Sequence, residues 1–347
     1  MERLNGPVLP DPLALGVKLT SVLETGRRES TYKLAALMAL TQYAVEYASG
    51  GDALEVELPV LAGYVSDLYA PLLKPFDSMG ALHQTKAGLG DVLKFLSTAD
   101  VHHKDGLGGR DSRRLAQLLA QMPLTHLQNG DGGKSRDAFL YDDSWLHKKV
   151  TVRELEEHEW RIVLFPGVAA ALARLSGLLI PVLEILWQQE VQRFNPTRVE
   201  SDRVAAYLFG SSRRATKVIR EILLDEQDGR CFYCHGLLKQ SVAVDHVLPW
   251  SRTALDDLFN FVVVDERCNA DKSTLLPTPD WVAKAVSRDL ASAPPDVPFR
   301  QSQSRVASIA LGLYRWSPQG IPLWLRRGHV EPLTPLWIDR AQALLTV

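Results

Sequence analysis

The chain has 347 residues, 46% hydrophobic and 23% charged, with a formal net charge of −2. That length holds two or three domains with cores of their own, and the balance is that of an ordinary globular protein. It excludes a polycation and a disulfide scaffold, so any hold on nucleic acid must come from a local basic face.

The N-terminus, Met1-Glu2-Arg3-Leu4-Asn5, lacks the charged-then-apolar pattern of a signal peptide, and a cytoplasmic protein is expected. Tyr32 to Ala48 reads as an amphipathic helix. Leu34, Leu37, Met38, Thr41, Ala44, Val45 and Ala48 fall at three- and four-residue steps, Ser30 or Thr31 is the expected cap, and Gly50-Gly51 stops it. A second helix is expected from about Pro59 to Tyr69. The pair reads as core, with Arg27, Arg28 and Lys33 as an alternative phosphate-holding set. His102 to Arg110 and Gln128 to Lys134 read as polar, Gly-rich loops flanking a short helix around Arg114 to Gln121. Phe139 to Tyr141 and Trp160 to Phe165 read as strands. Val168 to Gln192 reads as a buried central helix, broken or kinked near Pro181. Arg174 and Glu184 interrupt this apolar region, leaving uncharged runs short of the ~20 residues of a bilayer crossing, so no membrane is expected.

Arg198, Arg203, Arg213, Arg214, Lys217 and Arg220 form the most basic stretch, with a helix over Thr216 to Leu224. A solvated helix face and a DNA contact through Arg213, Arg214 and Lys217 are both open readings. Such contacts give affinity and not sequence choice. Beyond residue 280, helices are expected at Trp281 to Ala291, Ser304 to Trp316 and Ile338 to Leu345. Pro294 to Pro298 is expected to be a linker, and Trp324 and Trp337 lie in a tail packed on the body.

All three cysteines lie between Cys231 and Cys268. The Cys231-x-x-Cys234 gap lets both thiolates reach one zinc ion, and Cys268 supplies a third ligand. Asp265 stands where a second Cys-x-x-Cys would begin, so Asp265 or His235 is the expected fourth ligand. Such a closed site is structural. Val242 to His246 and Phe261 to Val264 read as strands, and Cys268 to Ser273 as a short helix. Asp245 and Asn269 offer oxygen ligands to a hard cation, and His246 can take a proton from water. Arg252 is either a phosphate contact or a surface arginine.

DHVLPWS, then Asn260, then CNADKS resembles the HNH endonucleases over about residues 229–276. The resemblance implies a ββα-metal finger with an added zinc knuckle. It implies His246 as general base, with Asp245 and Asn269 as ligands of a catalytic Mg2+ or Mn2+. Asn260 matches the middle asparagine that organises the loop and the base, and Lys272 matches a basic position near the scissile phosphate. Asn269 stands where many members have His and keeps an oxygen ligand.

The expected architecture is mainly α, with a small zinc-stabilised ββα-metal (HNH) nuclease module inserted in a helical body. Residues 1–165 are expected to be mostly helical with a few short strands, and 166–225 a helical connector carrying the basic stretch. Residues 226–280 are the nuclease module, and 281–347 a helical segment packed on the body. The expected function is metal-dependent cleavage of DNA. The large body suggests gating, as in bacterial restriction or antiviral defence, with a protein partner or homodimer. The alternative is a zinc-stabilised binding protein without catalysis. The joint presence of Asp245, His246, Asn260 and Asn269 argues against it, because a binder has no need of all four.

Overall fold

The computed structural model describes residues 11–346 apart from 26–28, 77–79, 100, 103–105, 130–137, 197–200, 210–212, 239–241, 254 and 291–299. The fold is mainly helical with small sheets, and it divides into two compact units, residues 1–210 less 103–105 and residues 211–347.

The first unit contains α1 (Pro12–Thr25), α2 (Tyr32–Tyr47), β1 (Leu54–Glu57), α3 (Leu58–Tyr69), α4 (Asp91–Leu96), β2 (Val101–His102), β3 (Gly106–Leu107), α5 (Gly109–Gln121), α6 (Val152–Glu157), β4 (Arg161–Leu164), α7 (Val168–Phe194) and α8 (Ser201–Phe209). Its centre is α2. Every residue from Leu34 to Val45 is buried, because α3 and α7 pack against it. Thr31 precedes α2 without capping it; its hydroxyl meets Tyr69 and Gln84 instead. Lys33, half-buried, donates to the Asn129 carbonyl, and Arg27 and Arg28 lie outside the described residues. β4 pairs antiparallel with β1, a strand the sequence did not announce. Of Phe139 to Tyr141, Tyr141 makes a bridge to Leu164.

Of the expected break or kink near Pro181, the break does not occur: α7 continues through the proline. Leu179, Ile180 and Leu183 are buried around the proline, against α1 and α2. That burial offsets the ~3 kcal/mol that an interior proline costs a helix. α7 is long and apolar enough to cross a membrane by length and composition, but 56% of its apolar window is buried inside the protein. It is not buried all round, since Leu178, Val182 and Ile185 are exposed.

The second unit contains α9 (Arg213–Glu226), β5 (Val242–His246), α10 (Trp250–Thr253), β6 (Phe261–Asp265), α11 (Glu266–Lys272), β7 (Leu276–Pro277), α12 (Pro279–Val286), α13 (Gln303–Trp316), β8 (Pro322–Arg326), β9 (His329–Pro332) and α14 (Pro335–Leu345). β5 and β6 pair antiparallel, with Asp245 opposite Val262 and His246 opposite Phe261. β6 is buried from Phe261 to Val264 and runs straight into α11. Asp265 caps that helix, its carboxylate accepting from the Arg267 amide.

A second sheet places β8 between β7 and β9. The β8–β9 hairpin turns at Gly328, whose φ of 73° is the left-handed conformation glycine favours. Trp324 on β8 is fully buried beside Tyr233 and Trp281, with ring centroids 4.7 Å apart for Tyr233 and Trp324, and Phe232 packs on both of those neighbours. The buried Arg288 donates to the carbonyls of Leu258 and Phe259 and faces Glu226 at 3.6 Å. It thereby ties the turn before β6 to the end of α9.

Candidate active site and metal centre

Cys231 and Cys234 lie on the tight turn after α9, and Cys268 lies in the first turns of α11. Their sulfur atoms all fall within 4.8 Å of one another. The turn closes through Cys231 N–H to the Gly236 carbonyl and His235 N–H to the Cys231 carbonyl, with His235 at a φ of 58°. The Asp265 amide donates to Cys231 Sγ at 3.3 Å, a contact that orients and stabilises a thiolate ligand. Burial, with Cys231 and Cys234 close by, pushes the Cys268 thiol up to about 12. Three sulfurs this close become thiolates together only around a cation, so the donor set fits zinc. Among the described residues neither expected fourth ligand joins the group. The Asp265 carboxylate is at the α11 cap, and His235 Nε2 faces Lys284 Nζ at 3.3 Å.

Asp245 and His246 end β5, and their side chains leave opposite faces of the strand. Asp245 turns inward and is 8% exposed. Its Oδ2 accepts from the Tyr233 hydroxyl at 2.7 Å and lies 3.0 Å from Lys272 Nζ, which also reaches Oδ1 at 3.3 Å. Lys272 was expected near a phosphate. Instead it is fully buried, and its ammonium is divided between Asp245 and the His246 carbonyl at 2.7 Å. It projects from the same side of α11 as Cys268, which the fold needs inside. Burial pulls the Lys272 ammonium down and the Asp245 charge opposes that. An ionised carboxylate has about four lone-pair positions, so Asp245 keeps room for one further ligand beside these contacts.

His246 Nε2 lies 2.8 Å from Asp256 Oδ1. The imidazole also packs on Phe261 at 4.5 Å and Trp250 at 5.6 Å between centroids, so its orientation is fixed. Asn260 is fully buried. Its Oδ1 accepts from the Leu248 amide at 2.7 Å, and its Nδ2 donates to the carbonyls of Leu248 and Leu255 at 3.1 Å each. It pins the loop that carries Asp256 to the backbone at Leu248 and Leu255. Asn269 is half-buried on α11, and its side-chain amide has no hydrogen-bond partner among the described residues. Arg252 on α10 is half-buried, and burial lowers its guanidinium from the ordinary value. Arg213, Arg214 and Lys217 lie in α9, but their side chains fall outside the described residues.

The structure thus joins Lys272 to the Asp245 carboxylate and to the His246 backbone carbonyl, turns the His246 ring to Asp256, and buries Asn260 in the loop between His246 and β6. Sequence reasoning missed Asp256 and Tyr233. The signal for Asp256 was an acidic pair, Asp256-Asp257, standing between His246 and Asn260. Tyr233 lay unremarked inside the Cys-x-x-Cys.

No curated protein and no solved structure matches the chain. Residues 230–278 match a family model described as HNH endonuclease, a span that holds the three metal-positioned cysteines together with Asp245, His246, Asn260 and Asn269.

Proposed function

We propose that this protein is a metal-dependent endonuclease that hydrolyses phosphodiester bonds of DNA, with His246 activating the attacking water. One observation carries the reading, the contact between His246 Nε2 and Asp256. A carboxylate accepts and does not donate, so the neutral imidazole must put its hydrogen on Nε2. Nδ1 is then left with its lone pair to take a proton from water. In this reading β5, β6 and α11 are the ββα-metal unit. Asp245 and Asn269 hold a hard cation of the magnesium type, for which Asp245 has a free lone pair and Asn269 a free amide oxygen. Such a cation supplies positive charge to the phosphate as negative charge develops on it. Arg252 receives a phosphate oxygen. Zinc on Cys231, Cys234 and Cys268 holds α11 against the knuckle and takes no part in the chemistry.

The test is cleavage of labelled DNA with added Mg2+ or Mn2+ by wild type and His246→Ala. The variant is expected to lose activity about 10²–10⁴-fold, the usual contribution of a general base, with zinc content and circular dichroism unchanged. Cleavage by His246→Ala at the wild-type rate sinks the reading. A second reading, a zinc-stabilised binding module without catalysis, draws on the buried Lys272 that already neutralises Asp245. It predicts a wild type that binds DNA, holds zinc and cuts nothing with either cation.

A further inference from the structure

The β8–β9 hairpin ends in Arg326-Arg327-Gly328-His329, and all four residues are exposed. This tip is pinned to α11. A single oxygen, Asp271 Oδ2, accepts from the Trp324 indole at 2.8 Å and from the Gly328 amide at 2.9 Å. These bonds, with Arg327 and His329 near, hold the Asp271 carboxylate below its ordinary range. The strand that leads to the tip is anchored by Trp324 itself, packed on Tyr233, whose hydroxyl donates to Asp245. The arginines therefore sit at a fixed place relative to the candidate active site, on a support with little freedom.

At 3.6 residues per turn, Cys268 and Lys272 define the buried line of α11, and Asn269 and Asp271 lie on opposite flanks of it, each about 80° away. The hairpin tip docks on the Asp271 flank. Arg267, one turn before Asp271 on that flank, is exposed as well. No side-chain hydrogen bond or ion pair engages Arg267, Arg326 or Arg327 among the described residues. Arg326, Arg327 and His329 at the tip, and Arg267 on the same flank of α11, thus place positive charge beside the helix that carries Asn269, in a chain whose net charge is −2. The separation from Asn269 is about one helix diameter, ~10–12 Å. Along a duplex this is about three base-pair rises of ~3.4 Å.

We propose that Arg267, Arg326 and Arg327 form a phosphate-contacting surface for a nucleic-acid duplex, holding its backbone a few base pairs from the bond presented to His246. The inference rests on the nuclease reading of the neighbouring site. Its test uses the full chain carrying His246→Ala, which blocks cutting, and a short labelled DNA duplex of mixed sequence. Binding is measured by fluorescence anisotropy across a salt series. Arg326→Ala with Arg327→Ala is expected to weaken binding about tenfold at physiological salt and to flatten the slope of log K against log salt by ~1.8. Adding Arg267→Ala is expected to flatten it by a further ~0.9. Zinc content and the thermal midpoint should stay at the parent's values, since the replaced side chains are exposed. An unchanged slope in the double variant overturns the hairpin surface alone. A parent that binds no duplex, while its wild-type counterpart also cuts none, overturns the surface together with the nuclease reading.

Discussion

In the proposed nuclease, Asp256 sets which nitrogen of His246 is basic. An asparagine in its place can turn its amide and donate to Nε2, which moves the ring hydrogen to Nδ1 and removes the lone pair that water needs. Asp256→Asn is expected to lower kcat about 10–100-fold, the usual cost of a lost orienting partner, with little change in KM. Asp256→Glu, which still only accepts, should recover much of the loss. A nitrogen-15 NMR measurement of the tautomer separates this from a structural effect: wild type should show the hydrogen on Nε2 and Asp256→Asn a mixture. Equal kcat in wild type and Asp256→Asn removes the orienting role. The contact also marks where local sequence stops being informative. Asp245-His246 and Cys231-x-x-Cys234 are legible because adjacent residues share one turn or strand end. Asp256 reaches His246 only because Asn260 folds the intervening loop back through Leu248 and Leu255. Lys272 misled for a related reason. The resemblance placed it near a phosphate, but it shares the inward side of α11 with Cys268, which turns the ammonium onto Asp245.

Elements were legible where a local signal was strong, as in the 3.6 period of α13, the alternation of β5 and the β-branched run of β6; α2 was legible as a helix, although it is buried throughout Leu34–Val45 and not on one face. Elements were not legible where a partner far along the chain supplies the order. β1 has no run of its own and is a strand because β4 pairs with it, and β8–β9 hides between prolines at Pro322 and Pro332. A second such link is Asp257, fully buried before the turn Leu258–Asn260. Its carboxylate accepts from the Phe259 amide at 2.9 Å and from the Ser302 amide, at the α13 cap, at 3.1 Å. Burial pushes this carboxyl up to about 7, although two backbone donors and the charges of Arg305 and Arg300 work against it. The folded state therefore binds the proton more tightly than the unfolded chain, whose aspartates titrate near ~3.9. Asp257's contribution to stability is then fully present below about pH 4. It is lost as pH rises toward about 7, at up to ~1.4 kcal/mol per pH unit. Asp257→Asn keeps an acceptor and removes the titration. Subtracting its thermal midpoints from those of wild type, between about pH 5 and about pH 7, should give a difference that falls with pH. A difference flat across that window excludes the buried carboxyl as a proton store.

At the scale of the molecule, the two units have separate cores. In the first, α2 is buried by α3 and α7. In the second, Phe232, Tyr233, Trp281 and Trp324 gather under the knuckle and the hairpin. The division follows from how burial scales with size, since a small strand pair cannot stabilise itself and must borrow from a metal, from neighbours or from both. β5 and β6 borrow from α9, α11 and the aromatic cluster, and the three cysteines are placed to clamp the knuckle to α11 through a metal ion. Binding free energy at such a clamp is folding free energy. Removing zinc by chelation, followed by restoring excess magnesium, is therefore expected to act on one unit. Amide hydrogen exchange should accelerate in β5, β6 and α11, while α2, α3 and α7 keep their protection because their core contains no cysteine. If the chain is the nuclease proposed above, cleavage should be lost even with magnesium returned, since Asn269 rides on α11 and Asp245 is held by Lys272 from the same helix. Zinc re-addition should restore both. If β5 and β6 keep full protection without zinc, the cysteine cluster is not what holds the strand pair to α11, and packing around Tyr233 and Trp324 alone carries that load.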